Sequence, residues 1–293
     1  MSQSIRCSAV AATLAAAALL VTLAVAPGVA LAATGPYVAL GDSYTAAPLV
    51  PDPTGSPILC GRSNNNYPSD VARSIAPSSF ADASCSSATT ADMTSSQSLE
   101  GGLETAPPQF NALRSNDALV TLGIGGNDAG LIGVVEECSK LDVFDPFGSR
   151  CKSRYQSGGS DPNVAAVTAT GPKVATVLSG IHSRAPHARV LVVGYPDGLP
   201  VNGSDCWPLV PLSAGDIAYI DSLEEQLNGI LSKDAAAGGA TYVDTFRSSI
   251  GHDACRAPGT AWVNGIVPTS LAFPLHPNQA GERNMANQVL GKL

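Results

Sequence analysis

The sequence predicts an α/β fold, with a mostly parallel sheet covered by helices on both faces. Three observations carry this. Short apolar runs rich in β-branched residues recur and end at turn residues. Apolar stripes at helical spacing alternate with them. The runs lack polar alternation, so each strand is buried on both sides. In chain order, Tyr37-Val38-Ala39-Leu40 is the first strand and ends at Gly41. Residues 80–85 read as another, and 118–122 as a third closed by Gly123. Arg189-Val190-Leu191-Val192-Val193 is the strongest, and 241–244 the last. Between them, Val164, Val167, Val174, Val177, Leu178 and Ile181 mark a helix that Pro172 is expected to kink. Ile217, Ile220, Leu223, Leu227, Ile230 and Leu231 mark a second. Residues 277–290 read as a final helix with Pro277 in its first turn. Stretches 46–66, 131–162, 199–213 and 247–270 read as irregular loops, each holding cysteine. No repeat and no linker divides residues 34–293, which read as one domain. In such a sheet, ligands sit beyond the carboxyl ends of the strands.

Composition narrows the function. The 293 residues are 44% hydrophobic and 14% charged, with a net charge of −8. No Lys/Arg cluster and only 5% aromatics argue against nucleic-acid binding. Residues 1–33 read as a signal peptide: Arg6 starts it, 9–26 is an uncharged apolar run, and Ala30-Leu31-Ala32 offers a cleavage site. An uncleaved membrane anchor is the alternative, because eighteen apolar residues are near the spanning minimum. Cleavage removes Arg6 and Cys7, leaving about 260 residues, a net charge of −9, and Cys60, Cys85, Cys138, Cys151, Cys206 and Cys255. An even set in an extracellular protein reads as three disulfides, and sequential pairing closes the shortest loops among 15 pairings. Metal binding is disfavoured, since there is no Cys-x-x-Cys and no nearby His pair.

Three positions carry chemistry. Gly41-Asp42-Ser43-Tyr44 follows the first strand. A serine at a strand-to-helix turn suits a nucleophile, and equally a capping turn. Gly123-Ile124-Gly125-Gly126-Asn127-Asp128 follows the 118–122 strand. Asn127 offers an amide donor for an oxyanion, or simply a residue that fits a glycine-rich turn. The glycine spacing does not match a dinucleotide fingerprint. His276, in Phe273-Pro274-Leu275-His276-Pro277-Asn278, stands where a helix begins and suits a base or a plain loop residue. His182, His187 and His252 are placed less well for chemistry.

Together these segments resemble the SGNH hydrolases, also called GDSL lipases/esterases, across nearly all of residues 34–293. The resemblance implies a flavodoxin-like three-layer α/β/α sandwich. It places the nucleophile on Ser43, an oxyanion donor on Asn127 through Gly125-Gly126-Asn127-Asp128, and the base on His276. The six cysteines, Cys85-Ser86-Ser87-Ala88-Thr89-Thr90 and Gly251-His252-Asp253-Ala254-Cys255 resemble the secreted actinobacterial lipase branch. Two departures stand out. The family's oxyanion glycine aligns with Ser87, and the usual Asp three residues before the histidine is Phe273. By resemblance to dyad relatives, a main-chain carbonyl orients His276, with Phe273 favoured over Pro274. A distant carboxylate, Asp253 or Asp42, is the alternative, although Asp42 is better suited to bracing its turn.

The expectation is a secreted, extracellular ester hydrolase, a lipase or carboxylesterase, working through an acyl-enzyme without cofactor or metal. Neither a Gly-x-Ser-x-Gly elbow nor a His-Glu-x-x-His motif occurs. The expected partner is a small-molecule or lipid ester, met as a monomer in transient contact with a lipid interface. A phospholipase or carbohydrate deacetylase on the same scaffold is the alternative, as is a non-catalytic secreted binding module. Leu49, Val50, Leu131, Ile132, Val134, Val135, Leu209, Val210 and Leu212 are candidates to hold an acyl chain or to pack under the disulfides.

Overall fold

The computed structural model describes residue 1, residues 35–201, 203, 206–207 and 210–293. The leader expected over 1–33 and the side chain of Leu209 lie outside the described residues. Five parallel strands form the central sheet: β1 Tyr37–Gly41, β2 Phe80–Asp82, β3 Leu119–Gly123, β4 Arg189–Val193 and β5 Thr241–Val243. Their order is β2-β1-β3-β4-β5. The strand expected over 80–85 is narrower as β2, but Ala83 and Cys85 still donate to Ala39 and Gly41.

Alternation along each strand divides the core in two. Tyr37 and Ala39 of β1, with Leu191 and Val193 of β4, face α2 (Tyr67–Ile75) and α9 (Gln279–Leu290), the helix after the short α8 (Phe246–Ser249). Val38, Leu40, Val120, Leu122, Val190 and Val192 face the other way. That side packs against α6 (Pro162–Arg184) and α7 (Ala214–Ala237). The result is the three-layer α/β/α sandwich, with both faces of the strands removed from water.

Several elements differ from expectation. Residues 131–162 contain α4 (Leu131–Asp142) and α5 (Arg150–Gln156), where an irregular loop was expected. Local signals are weak there: α4 begins at Gly130 with no side-chain cap. Tertiary contacts supply the order. Cys138 bonds Cys151, and the Asp216 carboxylate of α7 accepts from the N–H groups of Cys151 and Lys152 at 2.9 and 2.7 Å. Helix α6 continues through Pro172, because both Pro172 and Thr168, whose carbonyl it frees, are exposed to solvent. Pro277 precedes α9; Asn278 is its cap and accepts from Ala280 and Gly281. Cys60–Cys85 and Cys206–Cys255 are the other two bridges, all paired in sequence order.

The Cys60–Cys85 bridge ties the loop after β1 to the turn after β2, beside the bond from Ser86 N–H to the Cys60 carbonyl. Replacing both cysteines by serine is expected to lower stability by about 3 kcal/mol in a urea titration, as for a loop of this size.

Candidate active site

Strand order reverses between β1 and β3, and the loops leaving those two strands hold the polar residues that converge. After β1, Asp42 caps the short helix α1 (Ser43–Ala46), its Oδ1 accepting from Tyr44 N–H at 3.0 Å. Ser43 is thus the first helical residue, where a backbone N–H has no intrahelical partner. Its hydroxyl meets His276 Nε2 at 2.7 Å. Both side chains are largely buried, at 8% and 5% exposure.

The histidine is oriented from behind. His276 Nδ1 stands 2.7 Å from the Pro274 carbonyl. A carbonyl has no proton to give, so Nδ1 carries the proton and Nε2 presents a lone pair to the Ser43 hydroxyl. The sequence favours the Phe273 carbonyl; in the structure that contact is made by Pro274. The Phe273 carbonyl instead accepts from the backbone N–H of His276 at 3.2 Å. The chain turns through Leu275, whose φ of 60° lies in the left-handed region, and this swings the Pro274 carbonyl under the ring. Phe273 contacts the ring edge-on, 5.4 Å between centroids. Asp42 and Asp253 serve elsewhere. Asp42 bonds Tyr44 and Tyr195, and Asp253 bonds Cys255 N–H and Arg256.

Burial holds the His276 pKa down at about 4, against the upward pull of the Pro274 carbonyl. Burial also raises Asp42 to about 7, opposed by its bonds from Tyr195 and Tyr44.

Asn127 lies in α3 (Gly126–Ala129) after β3. Its Nδ2 donates one hydrogen to the Ala88 carbonyl at 2.8 Å, leaving the second for another acceptor. Ser43 and Asn127 line the same pocket. Ser87 is the third residue of the turn closed by Ala88 N–H on the Cys85 carbonyl, with φ at 64°. That is a backbone glycine favours, so a serine costs about 1 kcal/mol there. Ser87 is exposed and is not among the residues lining the pocket around Ser43.

Two groups escaped the sequence reading. Tyr195 O–H donates to Asp42 and accepts from Gly126 N–H at 2.7 Å, joining the loops after β1 and β3. A lone tyrosine after a strand gave no sign of this. Asn264, fully buried, donates to the carbonyls of Ser270 and Ala272, and its backbone pairs with His276 and Leu275. Tyr44 O–H reaches the Leu275 carbonyl at 2.6 Å. Of the apolar loop residues, Leu131, Ile132 and Val135 line the pocket. Val50, Val134, Val210 and Leu212 are buried in the core, and Leu49 is exposed. His182 bonds the Gly238 carbonyl, and His252 stacks on Trp262.

The chain is similar to known proteins. Residues 39–283 match the model of the GDSL-like Lipase/Acylhydrolase family. Lipase 2 of Streptomyces coelicolor is 38% identical over 256 residues, covering 86% of this chain and 84% of that protein. Among solved structures, phospholipase A1 from Streptomyces albidoflavus is similar with a TM-score of 0.70 and 28% identity, over 89% of this chain and all of that one. The extracellular lipase of Streptomyces rimosus has the same TM-score and identity, over 88% of this chain and 99% of that one. On the matched span and these identities, the chain belongs to the GDSL-like lipase/acylhydrolase family of carboxylic ester hydrolases.

Proposed function

We propose that this protein is a secreted lipase or carboxylesterase that cleaves acyl esters by a Ser43–His276 dyad. The observation that carries the reading is the continuous line from the Pro274 carbonyl through both ring nitrogens of His276 to Ser43 Oγ, each contact 2.7 Å. His276 Nε2 takes the Ser43 proton as Oγ attacks the ester carbonyl carbon. The carbonyl electron pair moves onto oxygen, which the second N–H of the Asn127 amide and the backbone N–H of Ser43 receive. His276 then gives its proton to the departing alcohol, and the acyl group stays on Ser43. Water, deprotonated by the same nitrogen, releases the acid. The Pro274 carbonyl fixes the tautomer, a task that needs an acceptor but no charge.

Three disulfides support export, since such bridges persist in oxidising compartments. Residues 1–33 serve in this reading as the leader, and 34–293 as the catalytic domain.

Ser43→Ala is expected to lower ester hydrolysis by at least about 10⁴-fold with an unchanged melting temperature, and to abolish labelling by a fluorophosphonate. Retained turnover in that variant overturns the dyad. Asn127→Ala is expected to reduce kcat about 10²–10³-fold with KM little changed, the pattern of a group that acts in the transition state. The pH profile gives a third check. Protonated His276 has no lone pair, so activity falls only as pH drops through its pKa of about 4. The acid limb of kcat/KM is therefore expected near pH 4, where an unperturbed histidine would place it at about 6.5.

A further inference from the structure

The pocket beside Ser43 is apolar apart from a few polar groups, and one of these has no part in the hydrolytic cycle. Leu131, Ile132, Val135, Leu199 and Ile220 form apolar walls, and Glu224 stands among them. Glu224 lies on α7 four residues after Ile220, so one face of that helix presents both side chains to the pocket. It is only 8% exposed. Asp42, the other carboxylate lining this space, has both oxygens occupied by Tyr44 N–H and Tyr195 O–H.

Glu224 differs. Its Oε2 accepts from Gly198 N–H at 3.2 Å. Glycine at 198 permits that approach, because a Cβ there would stand 3.3 Å from the same oxygen. Oε1 meets no donor among the described residues, and Glu224 lines the pocket beside Ser43. That oxygen is left to the pocket. Burial, with Asp197 and Asp221 nearby, drives the carboxyl well toward its neutral form. In either protonation state Oε1 can pair with a hydroxyl, as acceptor or as donor. A buried polar group without a partner is costly, and a ligand that supplies the partner recovers the loss.

We propose that Glu224 is a specificity-determining residue that selects esters whose apolar limb carries a hydroxyl group, that is, hydroxyacyl esters. The hydroxyl bonds Oε1 while the rest of the chain lies along the apolar walls. This rests on the reading that the pocket beside Ser43 receives the acyl limb. The same contact disfavours the plain chain, which leaves Oε1 unpaired when it displaces water.

The test is a matched set of p-nitrophenyl esters, octanoate and octanoates bearing one hydroxyl at successive carbons. Wild-type protein is expected to show kcat/KM about tenfold or more above plain octanoate at one or two adjacent hydroxyl positions. In Glu224→Leu that ratio is expected to fall at least about tenfold. In Glu224→Gln, whose amide oxygen still accepts, much of it is expected to remain. Wild-type preference for plain octanoate over every hydroxylated ester overturns the proposal, even if the leucine variant does not fold. A ratio unmoved in Glu224→Leu also overturns it. Absence of Ser43-dependent hydrolysis of any ester, plain octanoate included, overturns the esterase reading itself. Hydrolysis of plain octanoate without hydroxyl preference overturns only the role of Glu224.

Discussion

The hydrogen bond from His276 Nδ1–H to the Pro274 carbonyl is the constraint on which the site depends. It fixes which ring nitrogen holds the proton, and so makes Nε2 an acceptor for Ser43. A carboxylate in that place would do the same and would also stabilise the imidazolium. A neutral carbonyl gives the orientation with less of the charge stabilisation. Burial compounds this by disfavouring the charged ring. The site therefore holds an imidazole that stays neutral across a wide acidic range.

That bond requires a loop held still from several sides. Asn264 receives the Leu275 N–H on its carbonyl and donates its own N–H to the His276 carbonyl, while Tyr44 O–H takes the Leu275 carbonyl. Tyr44 also packs on the His276 ring, 5.0 Å between centroids. The Ser43 side is braced in a similar way. Tyr195 links Asp42 of the Ser43 turn to Gly126 of the Asn127 helix. A side chain at Gly126 would meet the Tyr195 ring at 3.1 Å, so glycine there admits the tyrosine. Two loops from neighbouring strands thus share one buried phenol. Their relative position depends on packing and not on either loop alone.

Much of this was legible in the sequence. The sheet was, because a strand buried on both faces needs an uninterrupted apolar run, and 118–122 and Arg189–Val193 are such runs. Ser43, Asn127 and His276 were singled out because each lies in a short segment that resembles a family pattern, and the structure brings Ser43 and His276 within 2.7 Å of one another. Helices α4 and α5 were not. Their order comes from Cys138–Cys151 and from Asp216, which is more than sixty residues from the N–H groups it receives. Tyr195 and Glu224 were hidden for the same reason, since their partners are distant in sequence, whereas the partners of Asn264 are near but lie in an irregular loop that carries no periodic signal.

The sequence by itself determined the kinds of group available and the elements that carry them: a serine after one strand, an amide after another, a histidine before the last helix. Those follow from local rules, the apolar periodicity and the turn residues, which act over a few positions. Only the tertiary structure decided which carbonyl faces the imidazole. Phe273 and Pro274 are adjacent, and the left-handed turn at Leu275, held by Asn264 and Tyr44, makes the choice. Folding also decided that a carboxyl from α7 stands in the wall of the pocket beside Ser43. Contacts between residues far apart in the chain exist only once the layers have packed, and no local pattern encodes them.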